Sequence, residues 1–178
     1  MKKLQLIKNI DGIDYYIYKP SLFGLYYDCY SGNEVPPYFS RFIHKIRMIR
    51  ELYKSNYQVV YMKKNKKIVG HLVVGRGGSR IEMSNYNDIV IGPIWVVPNE
   101  RSHGYGSKGI RFILDDMNVN YNYAYEYIEK DNIPSIRTVE KNGFDFVDDC
   151  NEYGLFKVIR PCKDGHLKVY RKLNAKNN

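Results

Sequence analysis

The feature that most constrains the fold is an uncharged apolar run at residues 89–97, IVIGPIWVV, with a glycine-rich segment after it. The β-branched residues of the run predict a central strand that is buried on both faces of a sheet. A polar loop follows, and then Gly104-Tyr105-Gly106-Ser107-Lys108-Gly109 opens an amphipathic helix expected to reach about Val119. A chain with this order must build a sheet and pack a helix against it.

The remaining pattern indicates an α/β fold. Apolar residues recur at three- and four-residue steps in residues 38–54, which predicts a second amphipathic helix. A short third helix is predicted at residues 132–142, because Pro134 stands in its first turn and Gly143 at the position of a glycine cap. Further strands are predicted at residues 13–18, 57–62, 68–74, 123–128, 144–147, 153–158 and 166–173. The expected sheet is mixed.

The composition is that of a globular chain, and the net charge is +9. The 178 residues are 44% hydrophobic and 26% charged, which fits a single domain over residues 1–178 and excludes a disordered or fibrous chain. The charge favours polyanionic partners, namely nucleic acid, an anionic membrane or a phosphorylated small molecule. We expect no transmembrane helix, because no uncharged apolar stretch reaches about 18 residues. We expect no signal peptide, because Lys8, Asn9 and Asp11 interrupt the apolar residues near the start.

The cysteines limit the kinds of site that the chain can contain. Cys29, Cys150 and Cys162 are an odd number without C-x-x-C spacing. This pattern argues against a disulfide framework and against a zinc site, so no metal is expected. Free thiols are typical of a reducing compartment, and we therefore expect a cytoplasmic protein.

The glycine-rich segment at residues 104–109 fits G-x-G-x-x-G, a pattern of dinucleotide-binding folds. That pattern needs its first glycine directly after the strand, whereas a polar loop at residues 98–103 intervenes here. Two interpretations remain. The segment is either a plain glycine-rich turn or a diphosphate site, in which the unpaired N–H groups at a helix start bind phosphate. Arg101 and Lys108 add positive charge that favours the diphosphate site.

Two segments resemble motifs of the GNAT superfamily of N-acetyltransferases. VPNERSHGYG at residues 97–106 resembles its R/Q-x-x-G-x-G/A acyl-CoA loop, and DNIPSIRTVEKNGF at residues 131–144 resembles its motif B. The resemblance covers about Tyr57 to Phe156 and implies a mixed, mostly antiparallel central sheet flanked by helices, with a splayed acyl-CoA cleft between the central strands. It also implies an acceptor-side part at 1–56, an acyl-CoA-binding core at 57–160 and a C-terminal extension at 161–178.

The resemblance implies acetyl-CoA as co-substrate and assigns residues to it. Backbone N–H groups of the loop would bind the pyrophosphate, and the loop consists of Arg101, Ser102, His103, Gly104, Tyr105, Gly106 and Ser107. The backbone of Ile94 and Val96 would pair with the pantetheine arm. Asn132 would hydrogen-bond the same arm, with Ser135 one turn further on the same face. Asn132 is equally suited to cap its helix.

One departure from the family concerns the proton donor. Many members carry a tyrosine seven residues after the asparagine, where this chain has Val139. Because a valine donates no proton, we expect Tyr127, five residues before Asn132, or water to protonate the departing thiolate. His71 is a second catalytic candidate and Asp88 a third. Each of these two also has a structural interpretation, as a packing residue and a turn residue.

The strand predicted at residues 123–128 is rich in tyrosine. Alternation puts Tyr121, Tyr123, Tyr125 and Tyr127 on one face and Glu126 on the other. The tyrosines would either form an aromatic wall beside the acceptor or pack against a helix.

The expected function is direct transfer of an acetyl group from acetyl-CoA to a primary amine of a small molecule. The positive charge favours an anionic acceptor, such as a nucleotide-linked amino sugar. Two alternatives stay open, a non-catalytic acyl-CoA-binding module and a protein N-acetyltransferase. A nucleic-acid-binding protein is disfavoured because the sequence lacks RNP, zinc and helix-turn-helix signatures. No membrane partner is expected, and a homodimer is left open.

Overall fold

A continuous sheet forms the centre of the structure, a computed structural model that describes residues 4–39 and 41–175. In chain order its strands are β1 (Gln5–Ile10), β2 (Ile13–Tyr18), β3 (Gln58–Lys64), β4 (Lys67–Arg76), β5 (Ile89–Val96), β6 (Tyr123–Glu129), β7 (Asp145–Tyr153), β8 (Val158–Pro161) and β9 (Leu167–Leu173). Within the described residues the sheet has nine strands, in the order β1-β2-β3-β4-β5-β6-β9-β7-β8.

The described sheet is antiparallel except between β5 and β6. These two strands are parallel and share two register pairs, Ile89 with Ala124 and Val90 with Tyr125. β9, the last of the described strands, lies between β6 and β7 and pairs with both. The residues that the sequence suggested as a C-terminal extension therefore supply an inner strand of the sheet.

Helices cover both faces of the sheet. α1 (Phe42–Lys54) lies on one face, and α2 (Tyr105–Arg111) and α3 (Ile133–Lys141) lie on the other. A π-helical turn, Phe112–Asp116, continues α2, and 3₁₀ turns occur at Gly32–Glu34 and Pro98–Glu100.

Alternating side chains along the strands divide the hydrophobic residues into three clusters. On the α2 and α3 face, the first core packs Leu72 of β4 with Ile110 and Val139. On the α1 face, the second core packs Met48 of α1 against β3 and β4. The third core extends that face under β6 and β9 and includes Tyr125. The opening between β5 and β6, described below, therefore has one core on each side.

The expected architecture is confirmed: a mixed, mostly antiparallel sheet flanked by helices. Two element predictions are wrong. Of the strand predicted at residues 153–158, residues 154–157 are the β7–β8 turn, because Gly154 has a φ of 67° and Lys157 N–H donates to Gly154 O at 3.1 Å. The helix predicted at residues 104–119 keeps α geometry only as far as Arg111. β1 lies outside every predicted element.

Two predictions about burial are also wrong in part. The apolar run is buried at Ile89–Ile91 but only half-buried from Gly92 to Val96, because β6 no longer accompanies it there. Tyr121 packs in the first core, whereas the other three tyrosines of the β6 segment pack in or against the third. The strand begins only at Tyr123, so its alternation does not extend to Tyr121.

Candidate active site

The sheet opens where β5 separates from β6. The last register pair between them joins Val90 to Tyr125. Beyond it, β5 stays paired with β4, and β6 stays paired with β9. The edge of β5 that faces away from β4 is thereby released from the sheet, which gives the cleft between central strands that the sequence predicted.

A β-bulge sets the direction of the β5 side chains beyond this point. β5 has one residue more than β4 between the register positions of Ile91 and Ile94. As a result, Ile89 and Ile91 before the bulge and Ile94 and Val96 after it all face the first core. Bulges beside active sites commonly redirect side chains in this way. The free backbone edge at Ile94 and Val96 therefore borders the opening.

The glycine turn forms the start of α2. Gly104 is the N-cap with a φ of 76°, a conformation that glycine adopts without strain. The first hydrogen bond of the helix runs from Lys108 N–H to Gly104 O at 3.0 Å, so the N–H groups of the preceding turn are available to a ligand. Arg101 stacks over Trp95 at 5.2 Å, and its Nε donates to Val96 O. The side chain of Tyr105 is buried in the first core, so only the backbone of Tyr105 is accessible to a ligand at the turn.

Gly106 lies where β5, α2 and α3 converge. A Cβ at this position would lie 3.8 Å from Thr138 Cγ2 and 3.9 Å from Ile94 Cγ2. Gly109, one turn later, is closer still to the sheet, since a Cβ there would lie 2.3 Å from Leu72 Cδ1. Glycine at Gly109 lets α2 approach β4 closely, whereas a Cβ at Gly106 would make only ordinary contacts with α3 and β5.

The start of α3 faces the same side. Asn132 is its N-cap, and Asn132 Oδ1 accepts a hydrogen bond from Ser135 N–H at 3.3 Å. The capping interpretation is confirmed, whereas a contact of Asn132 with pantetheine stays a prediction. Val139 is 1% exposed and belongs to the first core. The position at which many family members carry a tyrosine is therefore occupied by a buried core residue.

A cavity of about 100 Å³ lies on the α1 face of the opening. Gly92, Pro93 and Val90 of β5 form its wall at the opening. Its polar lining includes side chains from α1, β4, β6 and the segments that follow α1 and β4: His44, Arg47, Glu51, Ser55, Tyr57, Arg76, Arg80 and Tyr127. Three arginines and one glutamate give this lining a positive balance.

His44 lies among positively charged side chains of the cavity. Burial lowers the pKa of His44 to about 4, and the positive charges of Arg47, Arg80 and Arg41 act in the same direction. His44 Nε2 is hydrogen-bonded to the Tyr26 hydroxyl at 3.0 Å. The imidazole is therefore neutral near pH 7, and the arginines supply the positive charge.

The β7–β8 turn closes one end of this cavity. Arg47 Nε donates to Leu155 O at 2.9 Å, and Arg80 Nη1 donates to Phe156 O at 2.9 Å. Arg80 also pairs with Glu152 at 2.8 Å, and its guanidinium lies 5.1 Å from the centre of the Tyr127 ring. Both arginines are thus fixed in place, and each has further N–H groups for a ligand.

His71 is fully buried behind the cavity. Its Nδ1 is hydrogen-bonded to the Tyr30 hydroxyl at 2.8 Å, and its Nε2 to the Tyr38 hydroxyl at 3.2 Å. Burial lowers the pKa of His71 to about 3, with a smaller effect of His44 in the same direction. A neutral imidazole with both nitrogens engaged holds Tyr38 in place. A catalytic part for His71 stays a prediction.

Tyr127 and Glu126 lie on opposite faces of β6 at the opening. Tyr127 is half-buried in the cavity on the α1 face. Glu126 is 3% exposed, and its Oε1 is buried without a hydrogen-bond partner among the described residues. Burial raises the pKa of Glu126 well above its ordinary value. Asp88 accepts from Asn85 N–H and Tyr123 N–H, as a turn residue would.

Sequence reasoning overlooked Glu126 as a site residue. The available signal was a single carboxylate inside the strand YAYEYIE, at a position where alternation demands an apolar side chain. A buried acidic residue without a partner is uncommon, and such residues are concentrated at functional sites.

Within the described ranges, no group of three or more His, Cys, Asp or Glu residues could hold a metal ion. The described helices are too short or too polar to cross a membrane.

Comparison with known proteins gave a family and a fold. A family model described as the acetyltransferase (GNAT) family matches residues 19–144. No curated protein matches the sequence. The structure is similar to ribosomal-protein-alanine N-acetyltransferase from Brucella melitensis, with 14% identity, a TM-score of 0.54 and coverage of 72% of this chain and 76% of that one.

Two further structures are similar to the same degree. The protein yncA from Salmonella typhimurium, solved with its cofactor acetyl-CoA, is 18% identical, with a TM-score of 0.54 and coverage of 75% of each chain. An N-acetyltransferase from Staphylococcus aureus Mu50 is 17% identical, with a TM-score of 0.53 and coverage of 73% of this chain and 75% of that one. At such identities the likeness concerns the fold.

Proposed function

Because this chain belongs to the GNAT acetyltransferase family, we propose that it transfers the acetyl group of acetyl-CoA to the primary amine of a small anionic molecule. The observation that carries the proposal is the position of the arginine-lined cavity, which meets the opening between β5 and β6 at Gly92 and Pro93. An acceptor in that cavity would face the proposed acyl-CoA site, formed by the free edge of β5 and the start of α2, across the same opening.

The residues present fit acetyl-CoA. The positive φ of Gly104 and the available N–H groups of the first α2 turn suit a diphosphate, and the proposed contacts extend over Arg101 to Ser107. The free backbone edge at Ile94 and Val96 suits an extended amide-bearing arm, with Asn132 and Ser135 as polar contacts at the start of α3. When bound there, acetyl-CoA supplies an acyl group already activated as a thioester.

The lining of the cavity supports an acceptor with a carboxylate or phosphate group. Arg47 and Arg80 are held by backbone carbonyls, so they are already arranged for an anion before it binds. The volume of about 100 Å³ suits a compact amine and not an entire nucleotide-linked sugar. A nucleotide-linked acceptor would have to leave its nucleotide outside the cavity.

Tyr127 is the proposed proton-transfer group on the acceptor side. Its side chain lines the cavity, on the α1 face of β6, whereas Val139 packs on the other face. This differs from the sequence-based assignment of Tyr127 to the thiolate, because the Tyr127 side chain lies on the acceptor face of β6. A cytoplasmic location belongs to the same proposal and is supported by three free cysteines.

The experiment is a panel of paired amines, each with and without an anionic group, monitored by release of free CoA. Suitable pairs are phosphoethanolamine with ethanolamine and glucosamine 6-phosphate with glucosamine. We expect the anionic member of at least one pair to be acetylated with the higher kcat/KM. Equal rates throughout, or a preference for the neutral members, would reject the anionic acceptor.

Two alternatives are decided by the same panel. The burial of Val139 favours a non-catalytic acyl-CoA-binding module as the second candidate, since the family's proton donor is missing from its place. Acetyl-CoA binding in calorimetry without CoA release from any amine would support that module. Peptides with free N-termini are included, and exclusive activity on them would support a protein N-acetyltransferase.

A further inference from the structure

A carboxyl group without a partner lies at the point where the sheet opens. Glu126 is the first residue of β6 beyond the last register pair with β5. A Cβ on Gly92, at the bulge of β5, would lie 3.9 Å from Glu126 Oε2, while Glu126 Oε1 has no hydrogen-bond partner in the described structure. A buried carboxyl without a partner is costly, so its retention at this place requires an explanation.

Glu126 lies on the α2 and α3 face of the sheet, where the proposed acyl-CoA site lies. Ala124 and Ile128, its neighbours on the same side of β6, belong to the first core together with Val139 of α3. Tyr127, on the other side, lines the acceptor cavity. Glu126 and Val139 therefore belong to the same side of the molecule, the side on which the family's tyrosine would act.

Nothing in this environment favours the ionised carboxylate. Tyr170, the register partner of Glu126 in β9, directs its hydroxyl to Glu140 Oε1 at 3.4 Å. The ammonium of Lys172, two positions further on β9, donates to Asn142 O at 2.6 Å. Burial is accordingly the cause that raises the pKa of Glu126, and no charged group contributes. A neutral carboxylic acid carries a proton that it can give away.

We propose that Glu126, in its protonated form, donates its proton to the sulfur of CoA as the thiolate leaves, the task that Val139 cannot perform. The bond between the acetyl carbon and sulfur breaks, its electron pair goes to sulfur, and the Glu126 proton forms the thiol. The C–N bond of the product forms at the same carbon. The proton that the acceptor amine loses passes through Tyr127 and water and restores the carboxyl group. This inference rests on the proposed acetyl transfer.

The test compares Glu126→Gln with wild type. Glutamine keeps the shape and neutrality of the acid but has no proton to transfer. We expect kcat to fall by roughly 10²–10⁴-fold, with acetyl-CoA affinity in calorimetry within about threefold of wild type. Glu129→Gln is the matched control, because Glu129 is an exposed glutamate of the same strand. Unchanged kcat in a folded Glu126→Gln variant overturns the inference.

A second measurement does not depend on turnover. The infrared spectrum of wild type at pH 7 should contain the carbonyl band of a protonated carboxyl. The spectrum of Glu126→Gln should lack this band, and the spectrum of Glu129→Gln should keep it. A wild-type spectrum without that band overturns the inference, even where Glu126→Gln fails to fold. Failure of the proposed function is separate: wild type would then bind acetyl-CoA and acetylate no amine in the panel.

Discussion

The two sides of the opening between β5 and β6 are built from different parts of the chain. The proposed acyl-CoA side is mostly backbone: the N–H groups at residues 101–107 and the free edge of β5. The proposed acceptor side consists of side chains that are distant in sequence, such as Arg47, Arg80 and Tyr127. A backbone site requires particular glycines and loop lengths and so leaves a contiguous motif. A site made of distant side chains leaves none.

The largest expected effect tests the acceptor side. Tyr127→Phe should lower kcat by roughly 10²–10⁴-fold, because the hydroxyl is the proposed proton-transfer group in the cavity. Acetyl-CoA affinity, measured by calorimetry, should stay the same, since Tyr127 lies on the face away from the glycine turn. Tyr123→Phe, on the same strand, is the control. Normal turnover in Tyr127→Phe would exclude its hydroxyl from the reaction.

The next effect tests the acyl-CoA side. Gly104→Val should weaken acetyl-CoA binding at least tenfold (about 1.4 kcal/mol), because a β-branched residue does not accept a φ of 76° and its side chain would crowd the phosphates. Gly154→Val is a suitable control, since Gly154 has a similar φ of 67° in the β7–β8 turn. A folded Gly104→Val variant with wild-type affinity contradicts the pyrophosphate assignment.

The fold, the glycine turn before α2 and the caps of α3 could be predicted because their signals are local. The glycine at the start of α2, the asparagine cap of α3 and the glycine after α3 each act within one turn of helix. The edge of β5 was predictable only through the family resemblance, since the bulge at Gly92 and Pro93 depends on pairing with β4. The inner place of β9 depends on long-range pairing and was not predicted.

The arginine-lined cavity could not be predicted, for a physical reason. Arg47 lies on α1, and its place in the cavity depends on the β7–β8 turn, 108 residues later. His71 was a catalytic candidate with a packing role as the alternative, and its two tyrosine partners come from the irregular segment before α1. Such contacts depend on tertiary packing and have no periodic signature.

A third, smaller effect sharpens the charge argument for the acceptor side. Arg47→Gln should raise the KM of an anionic acceptor by about tenfold, the usual size of one lost charge-assisted hydrogen bond. The KM of its neutral partner should change little. Arg47→Lys should lie between the two, because it keeps the charge without the fork geometry. Arg160→Gln, which removes an exposed arginine paired with Glu82, is the control.

An equal rise in KM for both members of the pair would show that Arg47 acts only by holding the β7–β8 turn. Thermal melting of Arg47→Gln and Arg47→Lys identifies that case, because loss of the bond to Leu155 O would lower Tm in both variants.

The smallest expected effect concerns His44, whose pKa is lowered to about 4. Arg47, Arg80 and Arg41 favour its neutral form, and the Tyr26 hydroxyl and the Tyr38 ring are its near neighbours.

A bound anion would partly cancel the positive charge of the arginines and raise the pKa of His44 by roughly one unit. Since the complex then binds more protons than the free protein, affinity for the anion must increase as pH falls. Linkage gives roughly a twofold gain between pH 7 and pH 5. NMR titration of the His44 ring with and without phosphoethanolamine measures the shift directly. A downward shift of the His44 pKa would mean that the anion binds elsewhere.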